Sequence, residues 1–426
     1  MFKKMKQLFK PQNKDLRKRI YFTFLMLFIF KLGTTIIVPG IDRDSLGDTS
    51  LGFLELLNAM SGGSLEQFSI FALGVIPYIN ASIVMQLLQM DIIPYFSELG
   101  KQGQTGRNKL NRITRYMGII LAFIQGYVFS FAFVKNGSPV DYLTFALILT
   151  AGTSLLLWIG DRITEKGIGN GVSMIIMAGI IATLPNMFYV TYNSFVPDGG
   201  TLGILKFVGF VLLYIIILLG VVFIETSERR VPIQYANKTT SMYGKQNSYI
   251  PFKLNSAGVM PVIFASIILT IPGIIAAVAK KSAITTFVNK WLTTTTPTGF
   301  VIYILCIFVF AYFYTFLQIK PDELSENLGQ NGGFIPGIRP GDETTKYIKN
   351  VLKRITVIGA TSLAVIAAIP VMFSAFSKLP SSVSIGGTSL LIVVGVALEV
   401  YKQLESELVT RNYTRGRGKR NWKILF

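Results

Sequence analysis

Gly74-Val75-Ile76-Pro77-Tyr78-Ile79-Asn80-Ala81-Ser82 opens a long apolar run, and its reading decides the fold. The stretch returns as Gly258-Val259-Met260-Pro261-Val262-Ile263-Phe264-Ala265-Ser266, with Gly, Val, Pro, Ile, Ala and Ser in the same places. The two copies lie nearly half the chain apart, which points to an internal duplication. Gly, Pro, Ala and Ile are common in membrane helices, so the surrounding topology has to carry the argument.

Outward from the first copy, apolar runs long enough to cross a bilayer recur along the chain. They fall at about 20–38, 70–90, 116–134, 142–160, 172–190, 203–224, 256–279, 300–318, 355–374 and 384–401. The chain is 51% hydrophobic and carries 15% charged residues, where a soluble domain has about 25%. The first run follows a basic amino-terminal stretch, as in a signal peptide. It lacks a small-residue cleavage site and is read as a retained span, with Lys31 inside it as a snorkelling side chain.

The basic residues then orient the chain. Segments on the amino-terminal side of the ten spans hold 33 Lys and Arg, and the opposite loops hold 6. Cytoplasmic loops gather basic residues, so both termini are expected in the cytoplasm and the number of spans is even. The net charge of +19 is explained this way without invoking nucleic acid. The repeat copies fall in spans two and seven, each the second span of a five-span half. An odd number of spans per half inverts one half against the other. The expected fold is therefore an all-α integral membrane protein of ten transmembrane helices in two inverted halves, residues 1–195 and 196–426. In both copies the proline is expected to kink its span, freeing a carbonyl that a neighbour or water must satisfy.

The chemistry is sparse. The chain has no His, which removes the usual general base and most metal sites. Cys306 is the single cysteine and reads as a small core residue. No carboxylate lies well inside a span, where an ion- or proton-coupled transporter would place one. Ser and Thr are plentiful, yet nothing is placed to activate them as nucleophiles. No enzyme, cofactor or metal is expected. A passive conduit, gated by shape and driven from outside, fits best; an inverted-repeat secondary transporter of a small solute is the alternative.

Val75 and Ile79 share one helical face, and Ile263 is the repeat counterpart of Ile79. Branched side chains meeting at mid-membrane would form a dewetted constriction; ordinary helix packing is the competing account. The outer connection 39–69 holds a ten-residue apolar patch, Leu51 to Met60, followed by Ser61-Gly62-Gly63-Ser64. It is too short to span and reads as an interfacial helix ahead of a re-entrant segment or a folded loop. Loops 225–255 and 319–354 are long and mix turn residues, aromatics and isolated Arg, as docking loops do. Gly167-Ile168-Gly169-Asn170-Gly171 has no preceding strand and is not a nucleotide-binding turn.

Five stretches, in order, resemble the SecY family of preprotein-translocase channels over nearly the whole chain: Phe68 to Ile79, Gly167 to Gly171, Arg229 to Ala236, Asn255 to Ser266 and Gly332 to Gly341. The resemblance implies a protein-conducting channel in the bacterial plasma membrane with a central hourglass pore. Unfolded preproteins would cross it, and transmembrane segments would leave sideways into lipid. It implies a pore ring of Val75, Ile79, Val172, Ile176, Ile263 and Ile392. It also implies that about 51–64 is a plug helix carrying Phe53, Leu54, Leu56, Leu57 and Met60, in place of the interfacial reading. Spans two and seven would form a lateral gate bearing Asn80, Ser82, Gln86 and Asn255. Arg229, Arg230 and Arg339 would dock the SecA ATPase or the ribosome. Implied partners are SecE-like and SecG-like membrane subunits, signal peptides, nascent membrane proteins and membrane lipid.

Overall fold

The computed structural model describes residues 13–39, 58, 60–65, 67–89, 93–133, 138–235, 248–279, 282–292, 296–377 and 386–421. By contacts the chain divides into two compact units, 1–188 with 396–426 and 189–395.

The first unit begins with α1 (Lys14–Gly33). The chain then pairs in extended form with the approach to the next helix: Ile37 bridges Ser69, and the Val38 N–H donates to the Phe68 carbonyl at 2.9 Å. Next come α2 (Ile76–Leu87), α3 (Pro94–Lys101), α4 (Gly103–Phe133) and α5 (Pro139–Lys166). A capping box starts α5. Asp141 accepts from the Ser138 N–H at 2.8 Å and Ser138 accepts from the Asp141 N–H, so two otherwise unpaired donors are satisfied. α6 (Gly171–Thr226) is broken at Gly200, whose φ of 50° and ψ of −136° separate two apolar helices, Gly171–Val196 and Gly200–Thr226.

The second unit continues from α6 into β1 (Glu228–Tyr235) and β2 (Ser248–Lys253), then α7 (Met260–Ala279), α8 (Ser282–Trp291) and α9 (Pro297–Gln318). It ends with α10 (Pro321–Gln330), β3 (Gly333–Phe334), α11 (Asp342–Ser377) and the start of α12 (Gly386–Asn421). Among the described residues, six helices are long and apolar enough to cross a membrane, and two shorter apolar helices, Ile76–Leu87 and Met260–Leu269, accompany them.

Two expectations change. The α-helix of span two covers 12 residues, about 18 Å against a core of about 30 Å, and passes into a π-helical turn at 88–89. The start of its apolar run, 70–75, is a series of turns. Turns are tolerated at that depth because protein groups satisfy their backbone. Ser64 Oγ donates to the Phe71 carbonyl at 2.9 Å, and Ser69 Oγ accepts from the Phe71 N–H at 3.2 Å. Secondly, neither repeat proline kinks a helix. Pro77 and Pro261 are each the second residue of their helix, where the missing N–H has no carbonyl to pair with. The break lies earlier, at Gly74 and Gly258, whose φ angles of 57° and 63° are left-handed. The repeat is thus a glycine turn followed by a proline-started helix, made twice.

A three-stranded sheet joins the otherwise helical chain. β1 pairs antiparallel with β2, Val231 opposite Ile250, and with β3, Gln234 opposite Phe334. One face of β1 buries Val231 and Ile233 against Phe252, Leu328, Ile335, Ile348, Val351, Leu352 and Ile355. A buried side chain of this size contributes roughly 1.5–3 kcal/mol before entropic losses. Loops 225–255 and 319–354 therefore fold together with the first turns of α11 as one small module.

Candidate functional site

The apolar ring residues are best followed unit by unit. In the first unit Val75, Ile79 and Ile176 are buried and Val172 is half-buried. Val75 and Ile79 are joined through the first turn of α2, the Ile79 N–H donating to the Val75 carbonyl at 3.1 Å. Val172 and Ile176 lie four apart at the start of α6 and share its face. Asn170 fixes that start, accepting from the Val172 N–H at 3.1 Å and the Ser173 N–H at 3.5 Å. In the second unit Ile263 and Ile392 are buried. The helix carrying Ile392 packs close to the second repeat turn: a Cβ on Gly395 would meet the Val259 methyl at 2.9 Å.

The Gly167–Gly171 motif is a tight hairpin joining α5 to α6. A Cβ on Gly171 would collide with the Gly160 carbonyl, and one on Gly167 with Thr23. Thr23 Oγ1 accepts from the Ile168 N–H at 3.1 Å, and Gln403 accepts from the Gly169 N–H at 2.9 Å. Ile168 is buried with Leu16 and Leu408, so the motif ties α1 and α12 to this hairpin. Its glycines serve close packing.

Of the plug candidates, Phe53, Leu54, Leu56 and Leu57 lie outside the described residues. Met60 is described and buried, and it leads into the turn Ser61–Ser64. Ser64 Oγ lies 2.6 Å from the Ser61 carbonyl oxygen and shares its one proton between that oxygen and the Phe71 carbonyl, while Gly62 and Gly63 have φ angles of 76° and 81°. This turn rests on α6 at Gly179, where an added Cβ would meet the Met60 carbonyl oxygen at 2.7 Å and the Gly62 nitrogen at 3.0 Å. The Lys31 ammonium donates to the Gly62 carbonyl at 3.4 Å. Sequence reasoning gave Lys31 no partner and did not single out Gly179. A charge inside an apolar run was the available signal for the first; nothing in composition marks the second.

The polar gate candidates divide into three situations. Asn80 Oδ1 is buried and has no hydrogen-bond partner among the described residues. Gln86 Nε2 reaches Ser82 Oγ at 3.5 Å, one turn away. Asn255 is buried and donates to Glu225 at 2.6 Å and to the Gly258 carbonyl at 2.9 Å, so its amide holds the turn of the second repeat copy. The connector it belongs to also runs tight against α11: a Cβ on Gly359 would collide with the Leu254 carbonyl.

The three arginines share the loop module and differ in engagement. Arg230 lies on the face of β1 away from the core. It bonds Glu228 at 2.8 Å and stacks over Tyr249 with its guanidinium 4.8 Å from the ring. The Glu228 bond, with Tyr249 beside it, raises its pKa. Arg229 and Arg339 are exposed and form no ion pair among the described residues. Arg339 stands in a loop shaped by left-handed Gly337 and Gly341, with φ of 83° and 95°. The loop is pinned on both sides, Thr344 Oγ1 donating to the Arg339 carbonyl at 3.0 Å and Ser325 Oγ to the Gly341 carbonyl at 3.0 Å. The module therefore presents two exposed guanidinium groups without an ion pair among the described residues, one of them on a loop pinned by Thr344 and Ser325.

Comparison with known proteins places this architecture. The SecY family model matches residues 69–401. Protein translocase subunit SecY of Staphylococcus carnosus (strain TM300) is 45% identical over 97% of this chain and 99% of its own. The protein of the same name from Staphylococcus aureus (strain NCTC 8325 / PS 47) is 46% identical over 94% of this chain and 96% of its own. Among solved structures, a protein-conducting channel superposes with a TM-score of 0.62 at 17% identity over 93% of both chains. Sec61 in the canine ribosome-channel complex from the endoplasmic reticulum gives 0.60 at 18% over 93% of both. Those two likenesses concern the fold; the family follows from the sequence matches, and the chain belongs to the SecY family.

Proposed function

We propose that this chain is the protein-conducting channel of a bacterial plasma membrane. It passes unfolded preproteins outward and releases transmembrane segments laterally into lipid. The observation that carries this reading is near-complete coverage of translocase SecY subunits at 45–46% identity, joined to a channel fold. The alternative, a secondary transporter of a small solute, has no support among these relatives.

In this reading Val75, Ile79, Val172, Ile176, Ile263 and Ile392 form the waist of the pore. Their branched side chains, five of them buried and that of Val172 half-buried, suit a dry constriction. Residues of about 51–64 plug the outer funnel, supported by the seating of Met60 and the Ser61–Ser64 turn on Gly179. Asn80, Ser82, Gln86 and Asn255 belong to the lateral gate, and polar contacts of about 0.6–2 kcal/mol each suit a seam that an arriving signal helix can replace. The halves divide near residue 195, and both termini are cytoplasmic, as the 33-to-6 distribution of basic residues favours.

The chain supplies no energy source and acts as no enzyme. SecA or the ribosome drives it, docking on Arg229, Arg230 and Arg339, with Arg230 oriented by Glu228 and Tyr249. SecE-like and SecG-like subunits complete the assembly. Depletion of the chain in its native cell tests the proposal: secreted precursors should accumulate in the cytoplasm. Normal export under depletion refutes it.

A further inference from the structure

The short helix between the second repeat span and the next carries a feature that the channel reading does not use. In α8 the residues Phe287, Val288 and Trp291 recur at the spacing of a single helical face, with Lys290 beside them. Val288 is turned inward and is 9% exposed, whereas Phe287 and Trp291 are 59% and 46% exposed. Two large aromatics one turn apart are left uncovered beside a lysine, whose ammonium lies 6.0 Å from the Trp291 ring.

The position of α8 is set by its neighbours. Thr298 Oγ1 donates to the Trp291 carbonyl at 2.9 Å, so the end of α8 is pinned to the first turn of α9. Thr296 starts α9 by accepting from the Gly299 N–H at 3.3 Å, and Pro297 is its first residue. α9 has 22 residues, about 33 Å, enough to cross the hydrocarbon core of about 30 Å. Trp291 is therefore held at the level where a spanning helix ends. That level is the membrane–water boundary, where Trp rings and Lys ammonium groups are most favourably placed. At its other end α8 follows α7 after only two residues.

We infer that α8 is an interfacial anchor, lying in the headgroup region of one leaflet with Phe287 and Trp291 inserted and Lys290 facing lipid phosphate. With the proposed orientation this is the outer leaflet. The occupant is lipid: a ten-residue amphipathic helix fixed at a span's end, with aromatics outward and a cation beside them, has the chemistry of a membrane-surface helix. The anchor holds the end of α7, the helix carrying the second repeat copy, to the bilayer surface. The inference requires only that α7 and α9 cross the membrane, so it stands apart from the translocation reading.

The test uses the full chain in phosphatidylcholine vesicles, with Trp158→Phe and Trp422→Phe leaving Trp291 as the single tryptophan. Bromine placed near the headgroup should quench Trp291 strongly, and bromine near the bilayer centre should quench it little. Absence of quenching by either lipid overturns the inference, as does stronger quenching from the centre. A second measurement covers failure of that variant to fold. A nitroxide on Phe287→Cys, in a Cys306→Ser background, should collide more with oxygen than with a water-soluble nickel chelate. The reverse order overturns the inference. Precursor translocation in matching vesicles supplied with the motor separates these outcomes from failure of the channel reading.

Discussion

Substituting Gly179→Ala tests whether the turn that ends the plug segment depends on close seating against α6. A Cβ there would stand 2.7 Å from the Met60 carbonyl oxygen, 3.0 Å from the Gly62 nitrogen and 3.3 Å from the Met60 carbonyl carbon. All three are backbone atoms, so no side chain can swing aside. To regain ordinary contact at 3.4 Å the Met60 carbonyl must retreat by about 0.7 Å. That movement also disturbs the Gly62 carbonyl, to which Lys31 donates. Overpacking of this kind costs about 1–3 kcal/mol, which shifts a seated-to-unseated equilibrium by roughly 5- to 150-fold. Alanine improves helix propensity by up to about 1 kcal/mol, which partly offsets the loss. Gly209→Ala and Gly220→Ala isolate that gain, because a Cβ at either position meets nothing within 4 Å. Ion flux through the resting channel in vesicles is the assay. Gly179→Ala should leak while both controls remain tight. Equal flux from all three variants and the parent would refute the seating argument.

Replacing Ile79→Ser together with Ile263→Ser should raise resting ion conductance in planar bilayers by rewetting the waist; unchanged conductance would remove these residues from the ring. Arg339→Glu should abolish motor-driven translocation at unchanged thermal stability, because its guanidinium has no internal ion pair among the described residues and the Thr344 bond uses its backbone. Translocation at the parental rate would free the loop of a docking role. Asn255→Ala removes the donor to Glu225 and the Gly258 carbonyl and should lower stability by about 1–3 kcal/mol, read as a reduced thermal midpoint. An unchanged midpoint would show that this turn holds without the amide. A Cys pair placed on α2 at Asn80 and in the connector at Asn255, in a Cys306→Ser background, should crosslink and stop transport; no crosslink in any state would argue that these segments are not gate neighbours.

Hydropathy and charge asymmetry determined by themselves that this chain is a membrane protein, and the duplicated Gly-x-x-Pro stretch marked it as internally repeated. Those properties are one-dimensional: transfer free energy sums along a run, and basic residues act through the loop that carries them. Tertiary structure alone decided what the motif glycines do. Gly74 and Gly258 turn the chain left-handed, so the helices begin at Ile76 and Met260 and the prolines sit harmlessly in the first turn. Tertiary structure also joined two loops, separated in sequence by three helices, into one sheet-bearing module, because β1 finds β3 across that distance. It committed Arg230 to Glu228 and Tyr249 while leaving Arg339 open, and it gave Lys31 the Gly62 carbonyl. Each of these depends on which backbone atoms approach within a few ångströms, and an apolar run of given composition is compatible with many such approaches.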